Sequence, residues 1–315
     1  MKKILIAGGA GYVGGHLTDL LAKNKKYQVT VLDNLLYEKS YLKDVNFIFE
    51  DVLNTKKMSK IIKKYDVVIW LAAIVGDGAC AINPELTLKL NYESLKIFKN
   101  FKGKLIFLST CSVYGMNNNF LDENSPTNPL SLYAKTKLDA EFFLKKNVKK
   151  LLIFRLGTLF GVSDAHSRIR FDLVANVLSL KSAIGQKLEV FGGDQWRPLM
   201  HVKDVANSII FALNKNINGL FNLSYKNYTI RDIALEIKKV NKSKVVFSSI
   251  KFEDKRNYKL KSPIFNKMGF KPKFNLKFGI NEIIKIVKEN RVTNPFDTLY
   301  NNMLFNKKIN ETKNN

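Results

Sequence analysis

The sequence predicts an α/β fold, a doubly wound parallel sheet with helices on both faces. Three observations predict it. An apolar run, Ile4–Ala7, enters a turn with glycines at Gly8, Gly11 and Gly14; a helical stretch and a second apolar run, Val29–Leu32, follow and stop at Asp33. Short apolar runs such as Asp66–Leu71 (DVVIWL) then alternate with helical segments as far as Leu151–Phe154, the pattern of strands buried on both faces. Gly8, Asp33, Asp51, Ala72, Ala73, Thr110 and Arg155 fall at the carboxyl ends of successive runs, where open parallel sheets bind their ligands.

The glycine turn and Asp33 form a mononucleotide-binding βαβ unit. Glycine lets the backbone approach a pyrophosphate and lets helix pack closely on strand, and the free N–H groups at the helix start face the phosphates. Asp33 would accept hydrogen bonds from the adenosine ribose hydroxyls and repel a 2′-phosphate, so the cofactor expected is NAD rather than NADP.

Further strands are expected at Asn46–Phe49, Lys104–Leu108, Lys187–Phe191 and Gly219–Leu223. Helices are expected at Thr55–Lys64, Pro84–Phe101, Leu130–Lys146, Arg168–Lys181, His201–Leu213, Thr229–Val240 with Thr229 as N-cap, and Leu276–Val287. Residues 1–160 read as the dinucleotide-binding domain, rejoined by 200–215; 161–295 read mainly as a smaller C-terminal substrate-binding lobe. Residues 296–315 are polar and rich in Asn and Lys, which predicts a loosely held tail.

The 315 residues can bury a substantial core, and no run of 18 apolar residues predicts a membrane span. The start, MKKILIAGG, reads as the first strand and not as a signal peptide, because its apolar stretch is short and runs into the glycine turn. The two cysteines, Cys80 and Cys111, make no disulfide framework and no metal spacing, which fits a reducing cytoplasm and no metal site. A net charge of +25 raises the question of a nucleic-acid partner. The cations are mostly lysines scattered along the chain, without an Arg-rich arm, and read as a solvated surface.

Tyr133 and Lys137 lie four residues apart, on one face of a helix. An ammonium near a phenol favours the phenolate, which can take a proton from a hydroxyl as hydride leaves the same carbon. Thr110, at the end of the preceding strand, can orient the reacting oxygen.

With these residues the chain resembles an extended short-chain dehydrogenase/reductase of the NAD-dependent nucleotide-sugar epimerase/dehydratase family. The resemblance runs from about Lys3 to about Lys288 and is carried by Gly8–Gly14, Asp33–Leu35, Asp51-Val52, Leu71–Ala73, Asn91, Ser109–Gly115, Tyr133–Lys137, Phe154–Gly157 and Arg197–Asp204. It implies a Rossmann-type sheet, with Tyr133, Lys137 and Thr110 as the catalytic set. It implies cofactor contacts at Gly8, Gly11, Tyr12, Val13, Gly14, Asp33, Asn34, Asp51, Val52, Leu71, Ala72, Ala73 and Lys137. Arg197 and Arg256 would grip the diphosphate of a GDP- or UDP-sugar, and Ser112, Arg168 and Arg170 would also face the substrate. A homodimer built on Pro84–Phe101 and Leu130–Lys146, or a higher homo-oligomer, is implied as well.

Two departures narrow the activity. Trp70 stands where the family often has His, so local cofactor contacts would differ. Cys111 and Ser112 follow Thr110 where sugar 4,6-dehydratases carry an acid, which argues against 4,6-dehydration, and Cys111 reads as a small buried residue. What remains is oxidation at C4 in surface-polysaccharide sugar biosynthesis, by a 4-epimerase or a 4-dehydrogenase. Ile74–Cys80 and Phe154–Leu173 resemble a sub-branch that includes GDP-heptose 4-dehydrogenases. The alternatives are a 4-keto sugar-nucleotide reductase and a non-catalytic nucleotide- or RNA-binding protein that kept the fold.

Overall fold

A computed structural model describes residues 1–38, 40–248 and 257–314. Its centre is a seven-stranded sheet: β1 (Lys2–Ala7), β2 (Tyr27–Asp33), β3 (Asn46–Phe49), β4 (Val67–Trp70), β5 (Lys104–Thr110), β6 (Lys150–Leu156) and β7 (Gly219–Leu223). The spatial order is β7-β6-β5-β4-β1-β2-β3, and every neighbouring pair is parallel. The chain therefore winds outward from β1 in both directions, and all strands present their carboxyl ends on one edge. The seventh strand lies beyond residue 215, so the return to this sheet runs further than helical periodicity alone suggests.

The helices are α1 (Gly14–Ala22), α2 (Thr55–Ile62), α3 (Asp77–Ile82), α4 (Pro84–Asn91), α5 (Leu132–Asn147), α6 (Val174–Ala183), α7 (Val202–Asn214), α8 (Ile230–Asn241), α9 (Pro263–Lys267), α10 (Leu276–Lys288) and α11 (Asn302–Asn314). Period-two alternation divides the strand residues between two cores. Ile4, Ile6, Val29, Val31, Ile69 and Phe154 pack with Leu17 and Leu21 of α1 and Val205 and Ile209 of α7. Leu5, Ala7, Leu32, Val68, Trp70 and Phe107 pack on the opposite face with Met58, Phe98 and Leu144. Trp70 thus belongs to the core, edge-on to Phe98 with ring centroids 5.2 Å apart. A residue at that position turns away from the ligand edge.

Under β5 and β6 lies a buried charge pair. Arg155 Nη2 meets Glu141 Oε2 at 2.7 Å, and Ser109 Oγ donates to Glu141 Oε1 at 2.5 Å. Glu141 is fully buried, so its charge is held by the guanidinium and the hydroxyl together. The pair pins α5 to the strands whose ends carry the site.

The smaller lobe has a three-stranded sheet in which Trp196–His201 runs antiparallel to Lys226–Thr229 and parallel to Thr158–Phe160. Its core joins Phe160, Leu199, Ile233, Ile237, Ile280 and Ile284 from that sheet, α8 and α10. Thr229 caps α8 as expected. Its hydroxyl accepts from Asp232 N at 3.0 Å, and Thr229 N donates to the Asp232 carboxylate at 2.9 Å.

Three expected elements differ. The helix expected over Pro84–Phe101 stops at Asn91, and a 3₁₀ segment, Glu93–Phe98, follows it. Asn91 explains the break. Its side-chain Oδ1 accepts from Ile74 N and its Nδ2 donates to Ile74 O, both at 2.9 Å, while Leu95 and Phe98 turn into the core around Trp70. The helix expected from Arg168 begins only at Val174. Upstream, Asp164 Oδ1 accepts from His166 N at 2.7 Å and Ser167 N at 2.6 Å, local bonds that compete with helix formation. The loosely held tail is a folded segment instead. Thr298–Tyr300 forms a 3₁₀ turn and α11 follows, packed beside α3.

Candidate active site

The site is assembled on the carboxyl edge of the sheet. At Gly8, φ is +80°, and a Cβ there would lie 2.5 Å from Ala72 N. Only glycine fits, because Leu71 N and Ala72 N both donate to Ala7 O, at 2.8 and 3.0 Å, and draw the β4 extension over the turn. A Cβ at Gly14 would collide with Gly9 O, which fixes how closely α1 starts against the turn. The N-cap residue of α1 is Val13, which offers no side-chain cap, and the first turn holds no acid. In that turn His16 N donates to Ser163 Oγ at 2.9 Å, and the helix start presents the amides before it with a positive dipole end.

Asp33 ends β2. Its carboxylate accepts from Ala10 N at 3.0 Å and Leu35 N at 2.9 Å. Burial pushes it above the usual carboxylate range, and these backbone bonds oppose the shift. Four lone-pair directions on a carboxylate leave acceptors for a ribose diol. Asn34 Nδ2 reaches Asp51 Oδ2 at 3.2 Å, and Asp51 Oδ1 holds Leu53 N at 2.8 Å. The structure thus brings Gly8, Gly11, Gly14, Asp33, Asn34, Asp51 and the half-buried Leu71, Ala72 and Ala73 to one edge. A cradle that a Cβ would fill, an open helix start and an adjacent carboxylate fit a dinucleotide. Val52 sits mostly in the core. The Tyr12 ring is buried and its hydroxyl is committed, donating to Gly161 O at 2.6 Å and accepting from Asn176 Nδ2 at 3.3 Å. It ties the glycine turn to the smaller lobe.

Thr110 ends β5 and is buried beside α5. Its Oγ1 accepts from Ser112 N at 3.1 Å, and its hydroxyl acts to lower the proton affinity of the Tyr133 phenol. Ser131 starts α5, accepting from Ala134 N at 3.1 Å and donating to Asp77 Oδ1 at 2.7 Å, so Tyr133 stands in a fixed first turn. Burial pushes the Tyr133 phenol well above its ordinary value, with the Cys80 thiol beside it acting in the same sense; the charge of Arg170 and the Thr110 hydroxyl pull the other way. One turn on, Lys137 is buried with its Nζ 4.3 Å from the Phe107 ring centroid. Burial pushes its ammonium down to about 8. Cys80 is fully buried, and burial pushes its thiol up to about 12, so it is no nucleophile. Cys111 is buried, as expected.

The expected substrate residues separate. Ser112 Oγ lies 3.3 Å from the Tyr258 hydroxyl. Arg197 is buried in the small-lobe sheet, with Nη1 donating to Trp196 O at 2.9 Å. Arg256 lies outside the described residues. Arg168 and Arg170, expected to face the substrate, spend several of their donors within the chain. Arg170 forms a two-point pair with Asp172, at 3.0 and 2.8 Å. Arg168 donates to Leu299 O at 3.2 and 2.7 Å and to Asn302 Oδ1 at 2.6 Å. Its guanidinium lies 3.7 Å from the Tyr37 ring centroid. Asp172 and Asn176 were not foreseen; the spacing Arg170-x-Asp172 was the available signal. Among the described residues, no cluster of His, Cys, Asp or Glu could hold a metal ion, and no helix is long and apolar enough to cross a membrane.

Comparison with known proteins agrees with this geometry. The profile of the NAD dependent epimerase/dehydratase family matches residues 4–224. A putative UDP-glucose 4-epimerase of Methanocaldococcus jannaschii is 29% identical over 92% of this chain and 100% of its own length. UDP-glucuronic acid decarboxylase 1 of Danio rerio is 28% identical over 90% of this chain and 72% of its own. The crystal structure of a UDP-glucuronic acid 4-epimerase from Bacillus cereus, in complex with UDP-glucuronic acid and NAD, superposes with a TM-score of 0.78. It is 28% identical and covers 91% of this chain and 99% of its own.

Glu38, in the segment after Asn34, gives the site a pH signature. Burial pushes its carboxyl from an ordinary 4.5 up to about 7, and the charges of Arg168 and Arg291 oppose the rise. The folded chain therefore holds this proton more tightly than the unfolded one, and stability falls as pH rises from about 4.5 through about 7. Glu38→Gln removes that loss. Its melting temperature is expected to match the parent's near pH 4.5 and to exceed it by about 2 °C or more at pH 8. Equal differences at the two pH values would contradict this assignment.

Proposed function

Because the chain belongs to the NAD dependent epimerase/dehydratase family, we propose that it is a nucleotide-sugar 4-epimerase. In this reading it oxidises the sugar of a UDP- or GDP-sugar at C4 and returns the hydride to the opposite face of the ring. The observation that carries the reading is the placement of Thr110 at the end of β5 beside Tyr133 and the buried Lys137, one turn apart at the start of α5, with the charge of Arg170 acting to favour the phenolate. Two of the three relatives named above are called 4-epimerases and the third a decarboxylase. An acid following Thr110, which water elimination would use, is absent: Cys111 and Ser112 stand there.

Tyr133 takes the proton of the C4 hydroxyl as the C4–H bond breaks and the ketone forms. Thr110 holds the reacting oxygen during this step. When bound, NAD supplies the acceptor for the hydride. A phenol raised by burial is a weak base by itself, so the charge of Arg170 acts to stabilise its phenolate. The same rise makes the phenol a proton donor ready for the reverse step, when O4 is reprotonated. The glycine turn, Asp33, Asn34 and Asp51 would hold the dinucleotide, and Lys137 its nicotinamide ribose. Arg197, Arg256 and Ser112 would hold the substrate, the arginines facing its diphosphate. The chain would pair through α4 and α5, where Leu88 and Phe142 are exposed.

Two measurements check this reading. Tyr133→Phe is expected to lower kcat by about 10²–10⁴-fold while bound NAD is retained, by mass spectrometry of the purified protein; full activity in that variant would sink the mechanism. Light scattering at working concentration is expected to give the mass of a homodimer, and a monomer would refute the pairing.

A further inference from the structure

The C-terminal segment does something the catalytic reading leaves unexplained. Asn302 is 4% exposed although it is polar and followed by the exposed Met303 and Leu304. Its Nδ2 donates to Val75 O at 2.8 Å, its Oδ1 accepts from Arg168 at 2.6 Å, and its backbone N donates to Asp172 Oδ2 at 3.2 Å. Less than one helical turn on, the Phe305 ring packs on Tyr37 with centroids 4.7 Å apart, and Asn306 Nδ2 donates to the Tyr37 hydroxyl at 3.1 Å. Phe171 N donates to Tyr300 O at 2.8 Å.

These anchors lie on opposite sides of the ligand cleft. Val75 follows the carboxyl end of β4, and Tyr37 follows that of β2. β4 and β2 flank β1, whose carboxyl end carries the glycine turn. The two outer strands are about 10 Å apart at ordinary sheet spacing. A segment that touches both loops therefore passes over the β1 end. Arg168 is the keystone, stacked on Tyr37 below and bonded to Leu299 and Asn302 above. The segment beneath is tied down as well. Asp164 pairs with Lys43 at 2.6 Å, Ser163 Oγ accepts from His16 N at 2.9 Å, and a Cβ on Gly15 would collide with Ser167.

The geometry points to residues 297–306 as a strap that closes the cofactor cleft and makes the dinucleotide a resident group. This rests on the reading above that the cleft holds NAD. The strap is built to open without unfolding the domain. Its bonds are mostly polar, Met303 and Leu304 are 45% and 41% exposed, and its apolar attachment through Tyr300 is to a small cluster separate from both main cores. A dinucleotide that cannot exchange during turnover must return the hydride it has taken to a ketone in the same site. That favours epimerisation over net oxidation to a free ketone.

The structure offers a lock. An ideal Cβ on Gly78 lies 3.6 Å from Met303 Cβ, within disulfide range, while Cys80 and Cys111 are buried. The experiment loads the G78C/M303C double variant with NADH, oxidises it, and follows release by loss of bound NADH fluorescence into excess NAD. Release is expected to be at least tenfold slower than in the same protein after reduction with dithiothreitol. As a second arm, N302A/F305A in the full chain is expected to release NADH at least tenfold faster than the parent. Equal rates in the oxidised and reduced protein, or an unchanged rate in N302A/F305A, would overturn the strap. Failure of the parent protein to bind NADH at all would overturn the cofactor reading together with the strap. Rapid release from a parent that binds NADH, unaltered by the lock, would overturn the strap alone.

Discussion

The approach of the glycine turn to the end of β4 is the constraint on which the rest of the site depends. Gly8 lies so near Ala72 that a single methyl group would collide with backbone. That contact exists because Ala7 O accepts from two successive amides, Leu71 and Ala72. The β4 extension is in turn held by Asn91, which bonds both polar groups of Ile74. From this crossing, α1 starts where its amides face the cleft, Asp33 reaches Ala10 across the turn, and Tyr12 reaches Gly161 in the smaller lobe. A shift at Gly8 would therefore misplace the cofactor edge and the lobe together.

Burial is the second organising force, and it acts on proton affinities. Tyr133, Lys137 and Cys80 are all driven toward their neutral forms by loss of water. The permanent charges are instead paired where they are buried, Arg155 with Glu141 and Arg170 with Asp172. The division has a chemical sense. Groups that hold structure keep their charges, while the phenol proposed to exchange a proton is driven toward its neutral form by burial, a shift the charge of Arg170 opposes.

The sheet was legible because parallel strands buried on both faces write continuous apolar runs, and DVVIWL could be little else. The glycine spacing and Asp33 marked the cofactor edge because each answers a local backbone demand. Thr110 and Tyr133 were legible as types at strand and helix ends. What stayed hidden depends on long-range partners. Arg168 and Arg170 looked like anion ligands, since nothing local says that Asn302 lies against one, 134 residues away. The polar tail looked free because its attachment uses side-chain amides and isolated aromatic contacts instead of an apolar stripe. Asn91 broke an apparently continuous helix for the same reason, a bond to a backbone 17 residues upstream.

The central claim is that hydride leaves C4 and returns to C4 without leaving the protein. The direct measurement is a single turnover of a nucleotide sugar carrying deuterium at C4, with no added dinucleotide, followed by NMR and mass spectrometry of the sugar and the nicotinamide. The account predicts an inverted C4 centre that keeps its deuterium, and a primary isotope effect on the turnover. Deuterium found in free NADH or in solvent, or inversion without an isotope effect at C4, would contradict it.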